Sequence, residues 1–251
     1  MSHMLAGRNA VVTGSARGIG FAIARALAEA GATVTITDVD VQEGLSAQRK
    51  LEDAGGRVSF FKLDVSQEED IFSLMKSFSD NSAGVDILVN NAGIISKGPL
   101  EQVDLAQWQR LISINVTGVF MLTKLILPGM MKRRWGRIIN IASVAGQMGG
   151  GLLGNCCYAA TKGAVIAFTK GVAQEAGPTG VTCNVVCPSF TETDMTASMT
   201  EEQRRTILAS IPLGRSGKPE EVGAAVAFLA SNEAAFITGA TLNVDGGLRR
   251  A

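Results

Sequence analysis

Two residues one helical turn apart, Tyr158 and Lys162, are the strongest candidates for chemistry in this chain. They lie in the segment CCYAATKGAVIAFTK, where helical spacing would place both side chains on one face. A phenol has a reference pKa of about 10, whereas a general acid works best with a pKa near the operating pH. Before desolvation, an ammonium roughly 4 Å away stabilises the phenolate by about 4 kcal/mol, which lowers the tyrosine pKa by about three units. The spacing therefore predicts a tyrosine that exchanges protons near neutral pH, and the alternative is an ordinary pair on a half-exposed helix.

A glycine-rich segment near the start of the chain, TGSARGIG, predicts a nucleotide site. An apolar strand at 9–13 precedes it, and helical periodicity at 21–30 follows it. Glycines permit a tight turn with close approach to phosphate oxygens, and a helix N-terminus adds free N–H groups and a positive dipole end. The alternative is a strand-to-helix turn without a ligand. The cofactor contacts predicted in this turn are Gly14, Ser15, Arg17, Gly18, Ile19 and Gly20.

Strands and helices alternate along the whole chain, and the early strands are continuous runs of valine and isoleucine. Both features are typical of a parallel sheet covered on two faces. We predict one domain over residues 5–251, with about seven strands in a doubly wound α/β sheet and a mobile helical flap at 191–210. The predicted strands are 9–13, 33–37, 58–63, 85–89, 137–141, 181–186 and 240–244. The other predicted helices are 42–54, 67–78, 105–132 with a bend near Asn115, 158–175 and 220–230.

Composition excludes several classes of function. Lys plus Arg and Asp plus Glu both number 23, so no basic face for nucleic acid is expected. The most apolar stretch, 111–131, is interrupted by Asn115, Gly118 and Lys124, which favours a buried helix over a membrane span.

Histidine and cysteine usage narrows the chemistry further. Residues 1–4 read as a tag remnant, so the single histidine, His3, is not expected to act, and no metal site is predicted. The four cysteines have no zinc-like spacing, and no signal peptide precedes them. Free thiols in a reducing cytoplasm are the expectation.

Further motifs occur in a fixed order. NNAG spans 90–93, Asn115 lies in SINVTG, Ser143 lies in IASVAG, and Asn184 and Pro188 precede a stretch that ends at Thr193. Together with the GxxxGxG turn and the YxxxK pair, they resemble the short-chain dehydrogenase/reductase family over residues 5–247. The resemblance implies a Rossmann-like fold, a nicotinamide dinucleotide and a homotetramer. Helices 105–132 and 158–175 carry many small and apolar residues, which would pack against copies of themselves, and buried packing within the chain explains the same pattern.

The resemblance also assigns catalytic roles. Hydride chemistry belongs to the nicotinamide, and the protein must handle one proton between a secondary alcohol and its ketone. Tyr158 would exchange that proton, and Lys162 would lower the pKa of Tyr158 and hold the nicotinamide ribose. Ser143 would hydrogen-bond the carbonyl oxygen, and Asn115 would position a water that links Lys162 to solvent. Taken singly, Ser143 is as well explained as a cap after a strand, and Asn115 as a helix-bend residue.

Further cofactor contacts follow from the family motifs. Family members usually have Pro-Gly after the sixth strand, whereas this chain has Pro188-Ser189, which changes the backbone or adds a hydroxyl beside the nicotinamide. The additional implied contacts are Asp64, Val65, Asn91, Ala92, Gly93, Tyr158, Lys162, Pro188, Ser189, Thr191 and Thr193.

Asp38 ends the second predicted strand and bears on the choice between NAD and NADP. A carboxylate there accepts hydrogen bonds from both ribose hydroxyls of NAD and repels the 2′-phosphate of NADP. Arg17 argues the other way, although the resembled family also has an arginine there in NAD users. We expect NAD, with NADP less favoured, and the alternative for Asp38 is a solvated loop acid.

The sequence indicates the substrate less clearly than it indicates the cofactor. The segment 143–158 is longer than in the family's fatty-acid-synthesis reductases, which favours a polyol, sugar or small secondary alcohol. One alternative is an NADPH-dependent 3-oxoacyl-ACP or 3-oxoacyl-CoA reductase, for which Lys97, Arg133 and Arg134 are candidate contacts with a carrier protein. The other is a catalytically silent nucleotide sensor. Candidate substrate contacts, each equally explained by loop packing, are Ile95, Ser96, Gln147, Met148, Leu153, Asn155, Phe190 and Met195.

Overall fold

A single parallel sheet organises the described residues, which in this computed structural model are 4–80, 84–150, 154–193 and 199–249, without the side chains of 79 and 80. Within them the strand order is β3-β2-β1-β4-β5-β6-β7, and every neighbouring pair is parallel. The strands are β1 Asn9–Thr13, β2 Thr33–Asp38, β3 Arg57–Lys62, β4 Ile87–Asn90, β5 Gly136–Ile141, β6 Val181–Pro188 and β7 Thr241–Val244.

Helices connect successive strands and cover both faces of the sheet. This confirms the predicted doubly wound α/β class. The helices are α1 Gly18–Glu29, α2 Val41–Asp53, α3 Glu68–Asp80, α4 Leu105–Ile112, α5 Gly118–Arg133, α6 Ala145–Met148, α7 Cys156–Ala176, α8 Glu201–Ser210 and α9 Pro219–Ala230. Short 3-10 turns lie at Leu100–Gln102 and Gly177–Thr179, and a π-helical turn at Ser113–Thr117 joins α4 to α5.

Two apolar layers hold the helices on the sheet. On one face, side chains of α1, α2 and α9 such as Ile23, Leu51 and Val226 form one buried cluster. On the other face, α3, α5 and α7 contribute to a second cluster, for example through Leu74 and Leu122. Because β4, β5 and β6 are buried along their whole length, the central sheet is a rigid platform for the loops at its carboxyl edge.

The order of strands reverses beside β1, which lies between β2 and β4. In open α/β sheets, ligands bind in the crevice outside the carboxyl ends of the strands at such a switch point. The segments that leave β1 and β4 there are 14–17 and 91–93. The topology therefore brings the glycine-rich turn and the NNAG motif together.

The helical stretch Leu105–Arg133 is, among the described residues, the one long and apolar enough to cross a membrane by length and composition. Its residues Leu122, Ile126 and Met130 are buried in the second cluster against the sheet, so core packing explains the apolar pattern. The predicted bend near Asn115 is the π-helical turn.

Other differences from the sequence prediction are local. The short helix α6 was not predicted, because four residues carry too little periodicity to be recognised. In the predicted flap, α8 begins at a capping box formed by Thr200 and Gln203. Residues 194–198 and 151–153 lie outside the described residues, and so do the substrate candidates Met195 and Leu153. The mobility of the flap stays a prediction.

Candidate active site

A cavity of about 490 Å³ opens at the carboxyl edge of the sheet, where β1 and β4 end. It collects most of the residues predicted from the sequence. Those in its wall are Gly14, Arg17, Gly18, Ile19, Gly20, Asp38, Asp64, Val65, Asn91, Ala92, Gly93, Ile95, Ser143, Tyr158, Lys162, Pro188, Ser189, Phe190, Thr191 and Thr193.

The glycine-rich turn forms a cradle that side chains would fill. Gly14 and Gly18 both have φ near +58°, a conformation that non-glycine residues rarely adopt. A Cβ atom on Gly14 would lie 2.8 Å from Cα of Ala92, and one on Gly20 would collide with the carbonyl oxygen of Gly14. Asn91 Nδ2 donates to that same oxygen over 2.8 Å and fixes the turn against the end of β4. Helix α1 starts here without a side-chain cap, so the cradle suits the diphosphate of a dinucleotide.

Ser15 and Asp38 tie this turn to β2. The Ser15 hydroxyl donates to Val12 O over 2.7 Å and accepts from the N–H of Thr37 over 3.0 Å. Asp38 Oδ2 accepts from the N–H of Ala16 over 3.2 Å. Ser15 is fully buried behind the wall, whereas Asp38 remains part of it.

The predicted catalytic residues Ser143, Tyr158 and Lys162 lie after the end of β5 and in the first turns of α7. Ser143 and Tyr158 both line the cavity there, and the Ser143 side chain is close enough to favour the Tyr158 phenolate. Lys162 Nζ donates to Ile141 O over 2.9 Å and lies 5.8 Å from the centre of the Tyr158 ring. Three of the four predicted catalytic residues, Ser143, Tyr158 and Lys162, therefore meet at one end of the cavity.

Burial sets the pKa values of this pair. Desolvation raises the pKa of Tyr158 to about 12, and the Ser143 side chain acts in the opposite direction. Desolvation also lowers the pKa of Lys162 to about 8. The structure does not show the expected lowering of the Tyr158 pKa by Lys162, because burial raises that pKa and the Lys162 ammonium donates to Ile141 O at the end of β5.

Asn115 lies behind the cavity wall in the π-helical turn and is fully buried. Its Oδ1 accepts from the N–H of Ile94 over 2.9 Å, and its Nδ2 donates to Ile94 O over 2.9 Å and to Thr161 Oγ1 over 3.0 Å. Thr161 Oγ1 in turn donates to the carbonyl oxygen of Tyr158 over 2.8 Å. Asn115 thus links the loop after β4 to the tyrosine helix, and its role in holding a water stays a prediction.

The substrate candidates separate into two groups. Ile95 and Phe190 line the cavity, but Ser96, Gln147, Met148 and Asn155 do not. Gln147 Nε2 donates to Asn243 Oδ1 over 2.7 Å. Asn155 caps α7 by accepting from two backbone N–H groups, and its Nδ2 donates to Ser96 Oγ over 2.9 Å.

Several wall residues were missed by the sequence prediction. Most of them are adjacent in sequence to a predicted residue. Their position next to a motif at the end of a strand was therefore the signal that could have identified them. Arg110 lies one helical turn before Ile114 and had no motif to mark it. The missed residues are Val39, Leu63, Ile94, Arg110, Ile114, Ile141, Ala142, Val144, Ala145 and Gly154.

The three basic candidates for carrier-protein contact do not form one cluster. Arg133 Nη2 donates to Val85 O over 2.6 Å, which places it near the amino end of β4. Arg134 Nη2 donates to Pro178 O over 3.4 Å, just before β6 begins. Lys97 follows the carboxyl end of β4, so it lies at the opposite edge of the sheet.

The chain is similar to known proteins over almost its whole length. A family model described as enoyl-(acyl carrier protein) reductase matches residues 14–249. The 3-oxoacyl-[acyl-carrier-protein] reductase FabG of Vibrio cholerae is 48% identical over 244 residues, which cover 97% of this chain and 98% of that protein. The chain belongs to the short-chain dehydrogenase/reductase family. It is an oxidoreductase that acts on a CH–OH group and uses a nicotinamide dinucleotide.

Solved structures of this family superpose closely on the chain. One is a 3-oxoacyl-[acyl-carrier protein] reductase with bound NAD from Brucella melitensis, at 35% identity and a TM-score of 0.91, covering 100% of this chain and 94% of the other. Another is a putative gluconate dehydrogenase from Agrobacterium tumefaciens, at 31% identity and a TM-score of 0.94, covering 99% and 98%. Both share the fold, so fold similarity alone does not select a substrate.

The expectation of a polyol or sugar dehydrogenase is wrong. Nearly half of the residues are identical to a 3-oxoacyl-[acyl-carrier-protein] reductase along almost the full length of both chains. The expectation rested on the length of segment 143–158. Length says little about the surface that such a segment presents, and here part of it forms the short helix α6 beside Ser143.

Proposed function

We propose that this chain reduces the 3-ketone of an acyl thioester, carried on acyl carrier protein or coenzyme A, to the 3-hydroxyacyl thioester. The observation that carries the proposal is the 48% identity, over 97% of the chain, to a protein named for this reaction. The family shares a fold among many substrates, so residues at the catalytic end must supply the rest of the support.

The walls near the catalytic end support an acyl substrate. Ile94, Ile95, Val144 and Phe190 line the same cavity as Ser143 and Tyr158 in the described part of the wall. Such side chains favour an alkyl chain over a polyol, since each sugar hydroxyl buried without a hydrogen-bond partner would cost about 1–3 kcal/mol. The charged residues in the described wall are Arg17, Asp38, Asp64, Arg110 and Lys162.

The residues divide the work of the reaction. When bound, the nicotinamide supplies the hydride. Ser143 donates a hydrogen bond to the ketone oxygen and stabilises the charge that develops there. Tyr158 is protonated at neutral pH, as its raised pKa requires, and gives its proton to that oxygen. Lys162, with a pKa of about 8, keeps a proton close to the site from which Tyr158 must be reprotonated.

We further propose that NADH is preferred over NADPH. The Asp38 carboxylate is fixed at the end of β2 by the N–H groups of Ala16 and Asp40, both over 3.2 Å. A fixed carboxylate accepts from ribose hydroxyls and repels a 2′-phosphate. Arg17 also borders the cavity and would soften this preference without reversing it, because its side chain is exposed and screened by water.

A substrate and cofactor panel tests the proposal. Initial rates are measured with 3-oxoacyl-CoA and 3-oxoacyl-carrier-protein substrates and with keto-sugar acids, each with NADH and NADPH. We expect kcat/KM to be at least about 100-fold higher for a 3-oxoacyl thioester than for any sugar acid. The alkyl chain gains from hydrophobic contacts, whereas sugar hydroxyls would be buried without hydrogen-bond partners. Equal or better turnover of a sugar acid contradicts the substrate proposal, and a preference for NADPH contradicts the cofactor proposal.

Assembly and location are proposed with the function. A homotetramer is supported by exposed apolar side chains on the predicted contact helices, among them Leu105 and Phe120. Light scattering coupled to size exclusion measures the assembly, and a monomer at micromolar concentration contradicts it. We place the enzyme in the cytoplasm, where free thiols such as exposed Cys156 remain reduced.

A further inference from the structure

Residues 245–249, here named the C-terminal hook, fold back on themselves directly after β7. The buried Asp245 carboxylate accepts from the N–H of Gly247 over 3.0 Å and from the N–H of Arg249 over 2.8 Å. The N–H of Leu248 donates to Asp245 O over 3.2 Å. Three hydrogen bonds within these five residues fix the direction in which the Arg249 side chain projects.

That side chain reaches helix α6. Arg249 Nη1 donates to Gln147 O over 2.9 Å. On the same residue, Gln147 Nε2 donates to Asn243 Oδ1 over 2.7 Å. Both the backbone and the side chain of Gln147 are therefore held by the segment 243–249, about 100 residues further along the chain.

Helix α6 in turn holds the catalytic serine. Ser143 Oγ accepts from the N–H of Ala145 over 3.1 Å, and Ser143 O accepts from the N–H of Gly146 over 3.0 Å. Gly146 also packs on the backbone of Lys162, where an added Cβ atom would lie 2.6 Å from the carbonyl carbon. Any shift of α6 would therefore move Ser143 relative to Tyr158.

Leu248 adds an apolar attachment to the same region. It packs against the buried cluster that contains Ala142 and Val144, which flank Ser143. It also packs against the cluster of Phe190, Ile207 and Ile211, which joins α8 to the cavity wall. The hook thus touches the two segments that border the catalytic end.

We propose that Arg249 is a positioning residue that acts through Gln147 and helix α6 to hold Ser143 against the ketone oxygen. The proposal rests on the catalytic role of Ser143 in the proposed function, but not on the identity of the acyl group. Arg249 touches neither the substrate nor the reacting atoms, so its effect passes through Ser143.

The test compares Arg249→Ala with a matched control, Arg57→Ala. Arg57 is also exposed and donates to a backbone carbonyl, Gly31 O, over 2.6 Å, but it lies at the start of β3, away from the cavity. We expect kcat to fall about tenfold in Arg249→Ala, with the dissociation constant for NADH within about twofold of the parent. Arg249→Lys, which keeps a donor for Gln147 O, should recover most of kcat. Equal kcat losses in the Arg249→Ala and Arg57→Ala variants, or no loss in either, overturn the proposal.

A double substitution distinguishes an effect of Arg249 on the position of Ser143 from a general loss of activity. If Arg249 acts through Ser143, then adding Arg249→Ala to a Ser143→Ala enzyme should lower kcat by less than about twofold. A full tenfold further loss in that background contradicts the proposal. The cycle is measured with whichever ketone the wild-type enzyme turns over best. The role of Arg249 is therefore tested even if the proposed thioester substrate is wrong.

Discussion

The two ends of the cavity are built in different ways. At the nucleotide end, glycines at 14, 18 and 20 keep the backbone of the turn close to its neighbours and leave space in the wall. At the catalytic end, the wall residue Ser143 lies beside helix α6, which distant partners hold, since Asn243 and Arg249 both bind Gln147. The nucleotide end therefore depends on local backbone conformation, whereas the catalytic end depends on long-range packing.

This difference predicts a separation of kinetic effects. Changes in the glycine-rich turn should act on cofactor affinity, because that turn makes the cradle. Changes around Ser143 and Tyr158 should act on kcat, because their hydrogen bonds are worth most in the transition state. Substitutions at the two ends can test whether the separation is real.

The largest effect is expected for Tyr158→Phe. This change removes the proton donor but keeps the ring, so kcat should fall by about 10³ or more. The dissociation constant for NADH, measured by fluorescence titration, should stay within about threefold of the parent value. A variant that retains a tenth of the parent kcat would disprove the assignment of Tyr158 as the acid.

Gly20→Ala tests the opposite end. The new Cβ atom would collide with Gly14 O and lie 2.5 Å from Asn91 Nδ2, so the turn must open. We expect NADH affinity to fall about 100-fold, which corresponds to about 2.7 kcal/mol. The matched control is Gly171→Ala in α7, where no neighbouring atom lies within 4 Å, and where alanine should raise the unfolding free energy by about 1 kcal/mol. NADH affinity close to the parent value in a folded Gly20→Ala enzyme would break the contrast between the two ends.

The same contrast explains what the sequence could predict. The alternation of strands and helices along the chain and the cradle follow from local signals, since hydrophobic periodicity, turn glycines and strand-end motifs act over a few residues. For the same reason, nearly all predicted cofactor contacts lie in the cavity wall. Ser15 is the exception, because its hydroxyl turns back to Val12 and Thr37 instead of outward.

The catalytic end could be predicted only in part. The identities of Ser143, Tyr158 and Lys162 follow from motif order, but the hydrogen bonds made by Gln147 and Asn155 do not. These bonds join residues 59 and 96 positions apart, and no periodicity encodes such pairs. The same limit applies to the pKa of Tyr158, which depends on burial by segments that the local pattern does not specify.

A smaller effect is expected for Asp38→Asn. The amide keeps an acceptor for the N–H of Ala16, but it loses the charge that opposes a 2′-phosphate. The ratio of kcat/KM for NADPH to that for NADH should rise about tenfold, mainly through KM. Asp40→Asn is the control, because Asp40 lies two residues away and caps α2, where asparagine serves equally well. An unchanged ratio in Asp38→Asn would remove Asp38 from cofactor selection.

The smallest effect is expected at Asn155, which serves α7 in two ways. Its Oδ1 caps the helix by accepting from the N–H groups of Cys157 and Tyr158, and its Nδ2 donates to Ser96 Oγ and to Gly98 O. Asn155→Ala loses both and should lower the unfolding free energy by about 1 kcal/mol in urea denaturation. Asn155→Asp keeps the cap, with a charge that is favourable at a helix N-terminus, but it lacks the Nδ2 donor, so it should recover the part of the stability that the cap supplies.

Activity then shows which contact matters for catalysis. If the cap alone orients Tyr158, Asn155→Asp should also restore kcat, while Asn155→Ala stays a few-fold below the parent. If kcat remains low in Asn155→Asp although the helix cap is kept, the bonds to Ser96 and Gly98 hold the loop after β4 in its working position. The second result would extend the contrast between the two ends, because it would show that the catalytic end depends on a side-chain tether even where its helix is fully capped.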